Sequence, residues 1–357
     1  MSTASENRIF IKGNEAISRG ALAAGCTCYF GYPITPQNDI PEFMSKAIVE
    51  AGGEFVQAES EVAAANMLLG ATAAGIRAMT SSSSPGVSLK QEAISYMAGS
   101  DLPGVIVNIS RGGPGLGDIG PSQGDYYQST RGGGHGDYRL LVLAPASGQE
   151  AYDLTIKAFD LAFKYRNPVM ILGDAIVGQM KEPVTPWVPE TIDTEGPTSW
   201  CLEGAGSKGR DPRIIKSLFL NEGALAGQNL HLQAKYEAMK SEIMAEQFLV
   251  EDAELIVVAF GSIGRIAKST IRKLRAEGHK VGLVRPITLY PFPEQILRDL
   301  AKQGKRFLTI EHNLGQMVDD VRLAIRGVAD SAFHSQLPGN LPTPDDFEEP
   351  IRKALED

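Results

Sequence analysis

The sequence predicts an α/β protein built on parallel sheets. Short apolar runs alternate with amphipathic stretches in both halves of the chain. The runs are almost continuously apolar, as in Val105-Ile-Val-Asn-Ile109 and Leu255-Ile-Val-Val-Ala-Phe260. Strands of that kind, separated by helices, belong to a sheet covered on both faces. A proline-bearing polar stretch between the two halves divides a larger first unit from a smaller second one.

The elements follow in order. Asn14 is placed to cap a helix carrying Ala16, Ile17, Leu22 and Ala23 that stops at Gly25. Cys26 to Phe30 reads as a buried strand and runs into Gly31-Tyr-Pro-Ile-Thr-Pro36. A helix from about Ile40 to Glu50, a strand over Phe55–Ala58 and an Ala-rich helix from Glu59-Ser60-Glu61 to Gly70 come next. Arg77–Thr80 is a strand ending in Ser81-Ser-Ser-Ser-Pro-Gly86, and a helix then reaches about Ala98. Strands at Val105–Ile109, Leu140–Leu143 and Val169–Leu172 complete this unit, with a helix from Glu150 to Tyr165 before the last. From Lys181 to Arg210 the pattern dissolves around Pro183, Pro186, Pro189 and Pro197, as in an extended connector. A charged helix over Leu232–Phe248 follows. Strands at Leu255–Phe260, Val281–Val284 and Phe307–Ile310 then alternate with helices at Ile263–Glu277 and Pro293–Lys302. The tail after Phe333 reads as irregular. The expected division is a first domain over 1–185, a linker over 186–250 and a second domain over 251–357. The halves share no motif, so no internal repeat is expected.

Composition narrows the function classes. A chain of 357 residues has room for two domains, and 43% hydrophobic with 22% charged residues is ordinary for a soluble protein. A net charge of -9 argues against nucleic acid. No apolar run is long enough to span a bilayer, and the first residues lack the basic start and apolar core of a signal peptide, so a cytoplasmic location is expected. Cys26, Cys28 and Cys201 form no C-x-x-C pair and no iron–sulfur run. Cys26 and Cys28 alternate along one strand and read as small core hydrophobes.

Three places can carry chemistry. In Gly31–Pro36, Pro33 and Pro36 fix their own φ and push Tyr32 and Thr35 into extended conformations. That makes a stiff loop at the carboxyl end of a strand, the edge where open α/β sheets bind ligands. Glu61 opens a helix, where a carboxylate is favoured by the dipole. It leads into a tightly packed Ala-rich helix, so it is equally a candidate buried carboxyl able to share a proton with a ring nitrogen. Ser110–Asp137 is a long glycine-rich segment holding Arg111, Tyr126, Tyr127, Arg131 and His135. Arg111 lies on the same sheet edge as Thr35 and suits bidentate recognition of a carboxylate. His135 fits an acid–base role or an interface role. Gly261-Ser-Ile-Gly264 reads as a tight turn that could meet an anion. No G-x-S-x-G, H-E-x-x-H or metal cluster is present in the sequence.

Gly31-Tyr-Pro-Ile-Thr-Pro36, Glu59-Ser-Glu61-Val-Ala-Ala, Ser81-Ser-Ser-Ser-Pro-Gly86, Arg111-Gly-Gly-Pro-Gly-Leu-Gly117 and Gly132-Gly-Gly-His-Gly-Asp-Tyr138 together resemble the α subunit of 2-oxoacid:ferredoxin oxidoreductases. The subtype resembled is the separate-subunit 3-methyl-2-oxobutanoate (2-oxoisovalerate) enzyme, over Ile9–Val184 and Leu255–Arg326. The resemblance implies a thiamine diphosphate pyrimidine-binding domain followed by a transketolase C-terminal-like domain. It implies oxidative decarboxylation of a 2-oxoacid with coenzyme A and ferredoxin. Glu61 falls on the glutamate that bonds N1′ of the cofactor's aminopyrimidine, Thr35 on the threonine that bonds the oxoacid, and Arg111 on the arginine that pairs with its carboxylate. Pro33, Ile34 and Ser84 fall among the cofactor-binding residues. The family holds the diphosphate through Mg²⁺ on a G-D-G segment, and Gly117-Asp118, Gly124-Asp125, Gly136-Asp137 and Gly173-Asp174 here all fail to continue as G-D-G. No metal is therefore expected on this chain. The resemblance places Mg²⁺ on a β subunit, [4Fe-4S] clusters on β and on a ferredoxin-like δ subunit, and adds a γ subunit. Other readings stand beside this one: the same complex acting on 2-oxoglutarate or another 2-oxoacid, a self-contained transketolase-like enzyme, which would need the missing diphosphate motif, and a scaffold. A 2-oxoglutarate enzyme would need an extra cation, such as Arg131 or His135, and a scaffold subunit would carry no chemistry.

Overall fold

A computed structural model describes residues 8–192, 199–204 and 212–356. The connector proline Pro197 and the stretch around Arg210 lie outside them. The first sheet has seven strands in the order β12-β6-β7-β5-β4-β2-β3. They are β2 (Cys28–Gly31), β3 (Glu54–Gln57), β4 (Ala78–Ser82), β5 (Gly104–Ser110), β6 (Leu141–Leu143), β7 (Pro168–Asp174) and β12 (Thr288–Tyr290). All pair in parallel except β12, which runs antiparallel to β6. The second sheet has the order β14-β13-β10-β11-β9, formed by β9 (Ala245–Phe248), β10 (Leu255–Val258), β11 (Val281–Pro286), β13 (Arg306–Glu311) and β14 (Ser331–Ser335).

The central strands are buried throughout, as their uninterrupted apolar runs predict: every residue of β5 and of β7 is buried. Helices α1 (Gly13–Ala23), α2 (Asp39–Glu50), α3 (Glu61–Ala73), α4 (Ser84–Gly99) and α6 (Gly148–Tyr165) pack around this sheet. Ile17 of α1 is wholly removed from solvent, a burial that stabilises by roughly 2 kcal/mol. Gly20 lets α1 approach α6 closely, because a Cβ there would stand 2.5 Å from the Tyr152 carbonyl oxygen. In the second unit, α9 (Gly261–Ala276), α10 (Glu294–Lys302), α11 (Met317–Ile325) and α12 (Glu348–Glu356) surround the sheet.

The structure differs from the sequence expectation where a short element is held by a distant partner. Asn14 does not cap α1. The helix starts one residue earlier, at Gly13, and Asn14 is buried inside it, donating to the Pro36 carbonyl at 2.9 Å and to Asp39 Oδ2 at 3.0 Å. The connector begins as β8 (Lys181–Val184), paired antiparallel with β1 (Ile9–Lys12). The charged helix α8 (Ala224–Met239) lies earlier than expected, and the following residues make β9, an antiparallel edge for β11. The glycine-rich segment contains a short helix, α5 (Tyr126–Thr130), and another short helix, α7 (Ala175–Gln179), follows β7. The C-terminal tail is not irregular: α12 buries Ile351 beside the wholly buried Phe347. Cys26 lies ahead of β2 rather than in it, yet both Cys26 and Cys28 are buried free thiols. Burial pushes the Cys26 thiol up to about 12. Among the described residues no helix is long and apolar enough to cross a membrane.

Candidate functional site

The strand order reverses at β2. From β2 the chain adds β3 on one side, then crosses to place β4 and β5 on the other. Such a reversal opens a crevice at the carboxyl ends of the strands. Strand register makes those ends level: Gly31 pairs with Ser81, and Ser82 with Asn108. The three motifs therefore converge, Gly31–Pro36 after β2, Ser82–Gly86 after β4 and Arg111 after β5, with Glu61 at the start of α3 beyond β3.

The Gly31–Pro36 loop is anchored from several directions. The Thr35–Pro36 peptide is cis. The Pro36 carbonyl accepts from Asn14 Nδ2 and, at 2.7 Å, from Gln179 Nε2. Gln37 is wholly buried; its Oε1 accepts from the Ser81 hydroxyl at 2.5 Å and its Nε2 donates to the Tyr32 carbonyl at 3.3 Å. Thr35 stays exposed, Ile34 is half-buried and Pro33 is exposed. Sequence reasoning passed over Asn14, Gln37 and Gln179 as anchors. The signal available was their polarity next to buried positions; their partners lie up to 143 residues away.

Glu61 is 7% exposed. Ser60 caps α3, its hydroxyl accepting from the Ala63 amide at 3.2 Å, whereas Glu59 is exposed. Capping therefore falls to Ser60, and the Glu61 carboxyl has no hydrogen-bond partner among the described residues. It lies against bare backbone: a Cβ on Gly86 would stand 2.6 Å from Glu61 Oε1 and would collide with the Ser82 hydroxyl. The hydroxyls of Ser82 and Ser83 are likewise buried without a partner. Buried polar atoms are ordinarily paired, so the unpaired Glu61 carboxyl and Ser82 hydroxyl around Gly86 make a cradle for a polar ligand.

Arg111 is 8% exposed, and its guanidinium donates to the Thr35 carbonyl at 2.9 Å and to the Leu116 carbonyl at 3.0 Å. The two residues expected on one sheet edge thus touch. Both acceptors are neutral, and Nε is buried with no partner, so donors of the fork remain free for an anion. Ser84 stands behind Arg111. Its hydroxyl accepts from the Arg111 amide at 3.0 Å and donates to Asp125 Oδ2 at 2.6 Å, so it is engaged with protein. Asn108 Nδ2 donates to the same Asp125 oxygen at 2.8 Å, and burial pushes the Asp125 carboxyl up.

Arg131 and His135 lie elsewhere. Arg131 pairs with Asp320 at 2.9 Å and stacks on Tyr127. His135 is exposed; its carbonyl accepts from Ser95 and its ring meets Tyr96 edge-on. Ser95 lies roughly 16 Å along α4 from Ser84 and the crevice. At Gly261-Ser-Ile-Gly264, the hydroxyl of Ser262 donates to Asp174, so the anion at the start of α9 is the protein's own carboxylate. Among the described residues no group of three or more His, Cys, Asp or Glu side chains is placed to hold a metal ion.

The crevice thus presents a buried carboxyl and open polar atoms at the switch point of the sheet. The fold and the crevice define the class, a thiamine diphosphate-binding domain followed by a transketolase-type C-terminal domain. Residues 19–244 match the family described as pyruvate flavodoxin/ferredoxin oxidoreductase, thiamine diphosphate-binding, and residues 253–347 match pyruvate:ferredoxin oxidoreductase core domain II. The chain is 49% identical over 348 residues to the ketoisovalerate oxidoreductase subunit VorB of Methanothermobacter thermautotrophicus, covering 97% of this chain and 98% of that one. It is 36% identical to the 2-oxoglutarate synthase subunit KorA of the same organism, covering 95% and 96%. In structure it superimposes with a TM-score of 0.89 on a 2-oxoglutarate:ferredoxin oxidoreductase from Magnetococcus marinus. At 24% identity that match speaks to the fold; it covers 98% of this chain, which spans 65% of the other. A split-gene transketolase matches with a TM-score of 0.60 at 15% identity over 97% of this chain and 98% of that one. The chain belongs to the 2-oxoacid:ferredoxin oxidoreductase family, as a subunit carrying its thiamine diphosphate-binding domain.

Proposed function

We propose that the chain is the pyrimidine-binding α subunit of a complex that oxidatively decarboxylates a branched-chain 2-oxoacid, 3-methyl-2-oxobutanoate, with coenzyme A and ferredoxin. The observation that carries this reading is the Glu61 carboxyl, buried, without a partner among the described residues and set against the bare backbone of Gly86. Thiamine diphosphate, when bound, supplies the carbon nucleophile for attack on the oxoacid. Glu61 holds and returns a proton at the N1′ position of its pyrimidine. Pro33 and Ile34 form the stiff wall of the crevice, and Ser82 and Ser83 supply its free hydroxyls. Ser84 acts from behind the crevice, its hydroxyl keeping Arg111 and Asp125 in place. Thr35 orients the oxoacid, and the free donors of Arg111 receive its carboxylate.

Substrate choice rests on two supports. The 49% identical relative bears the ketoisovalerate name, while the 2-oxoglutarate relative stands at 36%. Neither Arg131 nor His135, the cations a second substrate carboxylate would call on, is at the crevice. Instead the loop tethered to Arg111 presents Leu116, 82% exposed, and Ile119, 62% exposed, which suit an apolar side chain. The diphosphate and Mg²⁺ are assigned to a β subunit, since no Gly-Asp pair here continues as G-D-G. The [4Fe-4S] clusters are assigned to β and to a ferredoxin-like δ subunit, with γ completing a cytoplasmic assembly. Reconstitution tests the whole reading. Glu61→Gln is expected to lower kcat by a factor of about 100 or more, with viologen as electron acceptor. Full activity in that variant overturns the assignment. A substrate panel on the wild-type complex is expected to rank 3-methyl-2-oxobutanoate well above 2-oxoglutarate.

A further inference from the structure

Beneath Glu61 lies a lysine that the reaction as described does not use. Lys90, on α4, is wholly buried. A buried ammonium without a carboxylate in contact is costly, so its contacts merit a physical account. Its Nζ donates to the Thr80 hydroxyl oxygen at 3.0 Å and to the Glu61 carbonyl at 3.4 Å. The Thr80 hydroxyl hands its own proton to the Phe30 carbonyl at 2.6 Å, which turns a lone pair toward the lysine. Nζ therefore has two neutral acceptors for three protons. From α3, β4, β5 and β7, the elements packed against α4 or bonded to Lys90, the ionisable group whose field reaches it is Glu61. Burial holds the lysine down to about 8, with the Glu61 charge pulling the other way.

We propose that Lys90 is a positioning residue for Glu61, fixing the first turn of α3 through the Glu61 carbonyl and setting a buried positive charge beneath the crevice. Contact is to the main chain, so the side-chain oxygens stay free for the ligand. When Lys90 loses its own proton, that charge is lost and the hold on the first turn of α3 weakens, so the crevice binds the heterocycle less well. The inference rests on the role proposed for Glu61.

The test uses the reconstituted complex in wild-type, Lys90→Met and Lys90→Arg forms. Thiamine diphosphate Kd by equilibrium dialysis, and kcat, are measured between about pH 6.5 and 9.5. In the wild type, affinity and kcat are expected to fall together above about pH 8. In Lys90→Met both are expected to be lower by about tenfold at neutral pH, with no limb near pH 8. Lys90→Arg keeps its charge across the range, so its limb is expected to move out of the window. A wild-type Kd and kcat flat through pH 8 overturns the inference, as does a Lys90→Met complex with the wild-type profile. Size-exclusion chromatography reports whether Lys90→Met assembles; if it does not, the wild-type and Lys90→Arg profiles decide. Full activity in Glu61→Gln removes the reading of Glu61 itself, whereas an inert Lys90→Met beside an inactive Glu61→Gln removes only the role given to Lys90.

Discussion

Between Arg111 and Gly120 the glycine-rich segment stands in solvent, held by the Arg111 fork and by the turn from the Asp118 amide to the Gly112 carbonyl. Between Pro121 and Arg131 the same segment is sewn into the second unit. Gln123 donates to the Phe260 carbonyl at 3.0 Å and accepts from the His312 amide at 3.1 Å. The Tyr126 hydroxyl donates to Asp320 at 2.6 Å, and Gln316 bonds both the Gly124 carbonyl and the Tyr127 amide. Behind this seam the wholly buried Glu311 accepts from the amides of Gln316, Met317 and Val318 and from Asn313 Nδ2. The seam side chains Gln123, Tyr126, Gln316 and Glu311 are all paired, whereas Ser129 Oγ and His312 Nδ1 are not. Polar atoms at the crevice, Glu61, Ser82, Ser83 and Arg111 Nε, are left open. Satisfied buried groups give rigidity, and open ones cost stability that a ligand can recover.

That contrast can be broken from either side. The largest effect is expected at the seam. Glu311→Ala strands three amides and an asparagine, and should lower the unfolding free energy by about 3–5 kcal/mol in denaturant melts. An effect below about 1 kcal/mol would show that the seam is not where stability is concentrated. At the crevice, Gly86→Ala drives a methyl group into Ser82 and Glu61 Oε1. It is expected to lower kcat by about 100-fold, measured beside a melt that separates misplacement from unfolding. Arg111→Lys keeps the charge but cannot span Thr35 and Leu116, so kcat/KM for the oxoacid should fall by about tenfold, mainly through KM. The smallest effect concerns Lys90. Its folded-state value near 8 lies below its ordinary 10.5. Below pH 8 both folded and unfolded chains carry the proton; between about 8 and 10.5 the unfolded chain holds more of it, so stability gains as pH rises. Against Lys90→Met, the wild type is expected to gain ~1 kcal/mol between pH 8 and 9, read as a relative rise in Tm. A constant difference across that window would mean the lysine is not held near 8.

Much of the architecture could be read before any contact was known, because it is written in local patterns. The strands at Val105–Ile109 and Leu255–Phe260 and the helix capped by Ser60 depend on neighbours within a few residues. Convergence of Thr35 with Arg111 was legible too, since both follow strands of one parallel sheet. Illegible elements share a different cause. β1 needs β8, β9 needs β11, and β12 needs β6: each is a strand of only three or four residues whose pairing is supplied by a remote segment. The cap expected at Asn14 was displaced for the same reason, because Pro36 and Asp39 compete for its side chain.

By itself the sequence determined the alternation of strands and helices, the carboxyl edge where ligands meet an open sheet, and the pairing of a glutamate with an Ala-rich helix. These follow from period, propensity and the fixed φ of proline. Only the tertiary structure decided which polar atoms are spent and which are free. It committed Ser84 to Arg111 and Asp125, withdrew Arg131 and His135 from the crevice, turned Asp174 onto the start of α9 and seated Lys90 beneath Glu61. The reason is that a hydrogen bond or an electrostatic field depends on distance in space, and the residues that meet at this crevice are brought there by strand order rather than by sequence spacing.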